Sequence, residues 1–140
     1  MKILVIGGAG YIGSHVTYEL CDSGYDVTVL DNLSTGFIDN IDVRATFIQD
    51  SYVKISDKIL KNFDCVIHLA ALKAAGDSML DPVKYSNHNI INTINLINSC
   101  VKNNVKSFIF SSSAAVYGFP QYLPINEEHN LNPVNYYGFT

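Results

Sequence analysis

Lys2-Ile-Leu-Val-Ile6 runs directly into Gly7-Gly-Ala-Gly-Tyr-Ile-Gly13. The first five residues are short, apolar and largely β-branched, the pattern of a buried strand. Ile12, Val16 and Leu20 then recur at helical spacing, and Gly24 stands where a helix would stop. The order is strand, glycine turn, helix. Two glycine spacings are nested here, Gly8-x-Gly10-x-x-Gly13 and Gly7-x-x-Gly10-x-x-Gly13. Either one supplies a tight turn, a backbone that a pyrophosphate can approach, and a helix packed close to its strand. The free N–H groups at the helix start then face the phosphates, helped by the helix dipole.

A glycine triplet alone is a weak signal, and the next strand strengthens it. Asp26-Val-Thr-Val-Leu-Asp31 ends on a carboxylate 18 positions after Gly13. An acid there accepts hydrogen bonds from the adenosine ribose. It would also repel a 2′-phosphate, so the expected cofactor is NAD and not NADP. The plainer reading of Asp31 is a strand-end turn residue.

Length and composition fit one globular domain. The chain has 140 residues, 48% of them hydrophobic and 16% charged, which is enough for a real core and far from a disordered composition. A net charge of −4 without a basic cluster argues against nucleic acid as a partner. Glycines interrupt the N-terminal apolar run too early for a signal peptide or a membrane span. Cys21, Cys65 and Cys100 are widely spaced in apolar segments with neither zinc nor redox spacing. They read as buried thiols in a reducing compartment, so the expectation is a soluble cytoplasmic protein with no metal site and no membrane partner.

Strands and helices alternate through the rest of the chain. Ala45–Ile48 is a short third strand, and Val53, Ile55, Ile59 and Leu60 give a weak helical pattern. Cys65–Leu69 is a fourth strand, followed by small residues from Ala70 to Gly76. Asp81-Pro82 opens the longest helix, expected to run from Pro82 to about Asn103 with Ile90, Ile94, Ile97 and Val101 on its buried face. Val105–Phe110 is a fifth strand ending in Ser111-Ser-Ser113, after which the pattern loosens. This alternation predicts an α/β fold, a doubly wound parallel sheet of Rossmann type that stops after strand 5. The expected strand order is 3-2-1-4-5, with ligand at the carboxyl ends near the switch point between strands 1 and 4. His68, in mid-strand, reads as a hydrogen-bonded core histidine.

Five stretches together resemble the extended short-chain dehydrogenase/reductase family, and within it the nucleotide-sugar epimerases. They are Gly7-Gly-Ala-Gly-Tyr-Ile-Gly-Ser-His15, Asp31-Asn-Leu-Ser34, Val66-Ile-His-Leu-Ala-Ala-Leu-Lys73, Phe110-Ser-Ser-Ser-Ala-Ala-Val-Tyr-Gly118 and Tyr137-Gly138. The resemblance covers nearly the whole chain in order. It implies that Tyr11 and Ile12 join Gly7, Gly10 and Gly13 against the pyrophosphate. Asp31, Asn32, Leu33, Ser34, Thr35 and Gly36 would surround the adenosine ribose, with Asp50 and Ser51 flanking the adenine. Leu69, Ala70, Ala71, Leu72 and Lys73 would line the nicotinamide half, and Lys73 would also reach the sugar. Where the family commonly has asparagine at the nicotinamide ribose, this chain has His88 with Asn89 beside it, and either could make the contact.

The resemblance also implies the chemistry: NAD-dependent epimerisation at C4 of a UDP-hexose through a 4-keto sugar. Ser113 would hydrogen-bond the reacting oxygen and Tyr137 would transfer its proton. A free tyrosine has a pKa of about 10, so a proton-transfer tyrosine needs positive charge close by. In the family a lysine follows the tyrosine by four residues, which from Tyr137 is position 141. Residues 1–140 are therefore expected to be an incomplete NAD-binding domain, without the sugar-nucleotide domain and inactive alone. The full-length protein is expected to be a homodimer, with Ile91 and Leu96 of the long helix left facing water in this shorter chain. A dehydratase or decarboxylase of the same fold, or a non-catalytic NAD-binding scaffold, are the alternatives. Plainer readings exist for each reacting residue: Lys73 as a solvated loop lysine, Ser113 as a loop cap, Tyr137 as a packing tyrosine.

Overall fold

Strands β1 (Lys2–Ile6), β2 (Asp26–Asp31), β3 (Thr46–Gln49), β4 (Cys65–His68) and β5 (Ser107–Phe110) form one parallel sheet in the order β3-β2-β1-β4-β5. The helices are α1 (Tyr11–Asp22), α2 (Asp57–Leu60), α3 (Ala75–Leu80), α4 (Pro82–Tyr85), α5 (Asn92–Lys102) and α6 (Tyr136–Phe139). This is a computed structural model, and it describes residues 1–55 and 57–140. The chain divides into two compact units, Met1–Ala71 with Asn92–Ser111 and Leu72–Ile91 with Ser112–Thr140.

The first unit holds the whole sheet. In β1, Ile3 to Ile6 are all buried, as befits the central strand of a parallel sheet covered on both faces. Alternate residues feed two cores. Leu4, Ile6, Leu30, Leu60, Val66 and Leu96 pack together, and Ile3, Val5, Val27, Cys65 and Ile67 form the other group. Ile6 is level with Leu30 and with His68, and His68 with Phe110, so the carboxyl ends of these strands line up. The expected topology holds. Only the boundaries shift: β3 starts at Thr46, β4 ends at His68, and β5 starts at Ser107 because the Val105 N–H closes onto Cys100 O at 3.0 Å.

Two helices bury faces other than the expected ones. In α1 the buried residues are Gly13, Ser14 and Thr17, while Ile12 is exposed. Small residues face the strand because the helix lies close to it; Val16 and Leu20 are partly buried at its edge. Gly24, at φ +78°, ends this helix as expected, with Gly24 N–H on Cys21 O and Tyr25 N–H on Leu20 O. In α5 the buried residues are Thr93, Leu96 and Cys100, not Ile94, Ile97 and Val101. Thr93 is drawn inward by His68, whose Nε2 lies 3.1 Å from Thr93 Oγ1. Leu96 is thus a core residue, whereas Ile91 is exposed. His68 is a core histidine, with the Tyr52 ring edge-on at 4.7 Å. Burial pushes the Tyr52 phenol up to about 12. Cys65 and Cys100 are buried free thiols, but Cys21 is only half-buried.

The long helix expected from Pro82 is not one α-helix. It comprises α4, a π-helical turn over Ser86–Ile91, and α5. Asp81 caps α4, its carboxylate accepting from the Lys84 N–H at 3.0 Å, with Pro82 in the first turn. The second unit contains α3, α4, this π turn, a short 3-10 turn at Ala114–Val116 and α6. Among the described residues, no helix is long and apolar enough to cross a membrane.

Candidate functional site

In the first unit the glycine turn is shaped by close approaches to backbone at Gly7 and Gly13 and to the Val29 side chain at Gly8. Gly7 has φ +85°, which favours glycine, and a Cβ there would meet Ala70 N at 2.9 Å. A Cβ on Gly13 would stand 2.1 Å from Gly7 O, so only glycine lets α1 start against its own turn. Gly10 differs from both. Its Cβ would meet nothing closer than Gly7 O at 3.4 Å, so the protein itself leaves room for a side chain. Gly10 is also the N-cap of α1, and it brings no side chain to the first turn of N–H groups. Tyr11 and Ile12 follow it on the surface.

The loop after β2 is stitched to this turn through Ala9. Asp31 Oδ2 accepts from the Ala9 N–H at 3.0 Å. Ala9 O accepts from Phe37 N–H at 3.2 Å and from Asn40 Nδ2 at 3.1 Å. Gly36 packs so tightly here that a Cβ would come within 2.8 Å of Ala9. The other Asp31 oxygen accepts from Leu33 N–H at 2.8 Å, and Asn32 Oδ1 from Ser34 N–H at 3.0 Å. These two bonds bracket Leu33, which sits at φ 58°, an uncommon conformation for a bulky residue. Asp50 N–H bonds Asp31 O at 3.2 Å, and Ser51 follows it. Leu69 N–H donates to Ile6 O at 2.9 Å, carrying Leu69 to Ala71 past the glycine turn. The first unit therefore gathers Gly7 to Gly13, Asp31 to Gly36, Asp50, Ser51 and Leu69 to Ala71. Ala9, Phe37 and Asn40 were not legible as members of this group.

In the second unit one asparagine joins two of the expected stretches. Asn89 Oδ1 accepts from Leu72 N–H and its Nδ2 donates to Leu72 O, both at 2.9 Å. The same Nδ2 lies 3.0 Å from Thr140 Oγ1, which in turn donates to Tyr137 O at 3.0 Å. Asn89 thus fixes the residue before Lys73 and the helix that carries Tyr137. Its position in the π turn gives it that reach, and π turns recur at functional sites. His88, its neighbour, is half-buried, and burial pulls its imidazole below the usual value. Lys73 is exposed; Ser113 and Tyr137 are half-buried.

Ser113 caps the 3-10 turn, its Oγ accepting from Ala115 N–H at 3.2 Å. A hydroxyl that accepts once keeps further hydrogen-bonding capacity, so the cap does not exhaust it. This turn lies beside α6, since a Cβ on Gly138 would stand 2.6 Å from Ala115 O. The Tyr136 hydroxyl meets Ser86 Oγ at 2.5 Å. The loop between is held by His129, buried, whose Nε2 accepts from Gln121 N–H at 3.0 Å.

Comparison with known proteins points to one family. A family model described as NAD dependent epimerase/dehydratase family matches residues 3–140. The UDP-glucose 4-epimerase of Lactobacillus helveticus is 47% identical over 146 residues, covering 100% of this chain and 44% of that protein. The Brucella ovis UDP-glucose 4-epimerase, solved in complex with NAD, is 38% identical with a TM-score of 0.88, covering 99% of this chain and 43% of that one. The Bifidobacterium longum UDP-glucose 4-epimerase, solved with NAD+ and UDP, is 35% identical with a TM-score of 0.88, covering 99% and 45%. The chain spans less than half the length of these relatives.

Proposed function

The chain belongs to the NAD dependent epimerase/dehydratase family, and from that premise we propose that it is the NAD-binding part of a UDP-hexose 4-epimerase. The activity is that of a protein as long as its relatives, in which a further domain would bind the sugar nucleotide. We read it as a cytoplasmic homodimer.

The residues present fit the cofactor. Gly10 is a glycine that the protein's own packing does not require, and it stands where a pyrophosphate would approach the start of α1. Gly7 and Gly13 shape that approach, with Tyr11 and Ile12 beside it. Asp31 and the loop to Gly36 would hold the adenosine ribose, with Asp50 and Ser51 at the adenine. Leu69 to Lys73 would line the nicotinamide half. With Asn89 committed to Leu72 and Thr140, His88 is the residue we assign to the nicotinamide ribose.

NAD, when bound, supplies the acceptor and later the donor of one hydride. The chain's residues handle the oxygen and its proton. Tyr137 would take the proton from the C4 hydroxyl and return it to the opposite epimer. Ser113 would hydrogen-bond the same oxygen, and Lys73 would lie at cofactor and sugar together. The observation that carries this reading is the Asn89 bridge, which holds the Leu72–Lys73 stretch and the Tyr137 helix in one hydrogen-bonded assembly. The Ser113-Ala-Ala-Val116 stretch, without the acid pair of a dehydratase, supports epimerisation over dehydration.

The test uses the full-length protein with UDP-galactose and NAD, following formation of UDP-glucose. Tyr137→Phe and Ser113→Ala should each lower kcat and kcat/KM together, by about 10²–10⁴-fold for the tyrosine, with NAD affinity retained. Near-normal turnover in Tyr137→Phe would overturn the mechanism.

A further inference from the structure

Tyr137 stands on α6, a helix of four residues, and so short a helix does not hold itself together in water. Its opening N–H groups have no acceptor within the helix. Asn135, the N-cap, accepts from Gly138 N–H at 2.8 Å. The two N–H groups before that are met from α3. Met79 Sδ lies 3.3 Å from Tyr136 N, and Ser78 Oγ accepts from Tyr137 N–H at 2.9 Å.

Ser78 suits this task in two ways. It is 0% exposed, so water cannot take over its bond. Its own proton is committed to Ala75 O at 2.6 Å, which leaves a lone pair directed to Tyr137. The tyrosine backbone is thereby held at both polar atoms, its N–H by Ser78 and its carbonyl by Thr140 Oγ1. Only Ala74 separates Lys73 from α3. The short helix that receives the tyrosine therefore begins directly after the lysine stretch.

We propose that Ser78 is a positioning residue for Tyr137, setting where its backbone and hence its phenol stand relative to the reacting oxygen. The proposal rests on the reading of Tyr137 as the proton-transfer residue. Misplacing a reacting group by about 1 Å costs on the order of 10²-fold in rate. Removing the Ser78 hydroxyl also leaves the part-buried Tyr137 N–H without its acceptor, which favours a shift of α6.

The test is made on the full-length protein with Ser78→Ala, Ser78→Thr and Ser78→Cys. Ser78→Ala should lower kcat by about 10–100-fold while KM for the sugar nucleotide and NAD affinity change less than threefold. Ser78→Thr, which keeps the hydroxyl, should recover most of the rate. Ser78→Cys keeps the volume with a weaker acceptor and should fall between; it carries the test if the alanine variant does not fold. Amide hydrogen exchange supplies a readout independent of turnover: the Tyr137 N–H should exchange at least tenfold faster in Ser78→Ala than in the parent. Unchanged exchange, or a loss that threonine does not recover, would overturn the positioning role. Full activity in Tyr137→Phe alongside faster exchange in Ser78→Ala would instead remove the functional reading and leave the structural tie standing.

Discussion

Gly13 and Gly10 of one turn answer to different demands, and substitution should tell them apart. Gly13→Ala puts a methyl 2.1 Å from Gly7 O, a backbone atom that cannot move aside alone. It should destabilise the fold by several kcal/mol, as other forced overpackings do, read as a fall in the urea midpoint. Gly10→Ala meets only Gly7 O at 3.4 Å and should fold normally yet lose NAD affinity by calorimetry. A Gly10→Ala protein binding NAD as the parent does would show that nothing approaches that position. Asp31 tests cofactor choice. Asp31→Ser removes the charge that repels a 2′-phosphate and should relax the preference for NAD over NADP. Because its carboxylate also holds Ala9 and Leu33, the substitution should loosen the turn as well. Unchanged preference would remove the ribose assignment. The place of Asp31 at the end of β2, 18 positions after Gly13, was legible in the sequence. Its tie to Ala9 was not, since a backbone N–H leaves no trace in residue type.

At the scale of elements, α5 shows why periodicity locates a helix and still misjudges its face. Apolar residues lie on both sides of it, Ile94, Ile97 and Val101 on one and Leu96 and Cys100 on the other. The more numerous β-branched stripe suggested the core, but the structure buries the stripe whose Thr93 bonds His68. Leu96→Ala should therefore cost about 2–5 kcal/mol in denaturant unfolding, whereas Ile94→Ala should stay within about 0.5 kcal/mol. Equal costs would contradict the burial. The exposed stripe offers a test of the proposed homodimer: Ile94→Asp in the full-length protein should leave it folded and shift sedimentation toward monomer. The π turn was illegible for another reason. Ser86-Asn-His-Asn-Ile-Ile91 has the composition of an ordinary helical turn, and its purpose shows only when Asn89 meets Leu72, remote in sequence.

For the molecule as a whole, alternation of strand and helix was enough to give the parallel sheet and its order, because crossover handedness and length leave few other arrangements. Its pH response follows from carboxylates that the fold ties down. Arg44 hydrogen-bonds the Asp42 side chain and holds its carboxyl below the usual range. Lys102 does the same for Asp57, and the Lys2 backbone N–H with Lys106 for Asp64. A carboxyl whose pKa is lower folded than unfolded adds stability above its unfolded value, about 3.9, and that stability is lost as pH falls through the lower folded value. Denaturant midpoints should thus be flat in this respect near neutrality and drop below about pH 4. Salt should blunt the contributions of Asp57 and Asp64, whose lysine partners are exposed, more than that of Asp42, which is 2% exposed. A midpoint that stayed level down to pH 3 would contradict this.

The bonds that fix α6 all reach backward along the chain, to Ser78, Met79, Ser86 and Asn89. A ribosome adds those residues to the chain well before Tyr137, so these partners of the helix are already synthesised when the tyrosine is added. A four-residue helix held this way is fixed by bonds from outside itself and not by its own nucleation. The residue proposed to move the proton is thus held by chain synthesised before it.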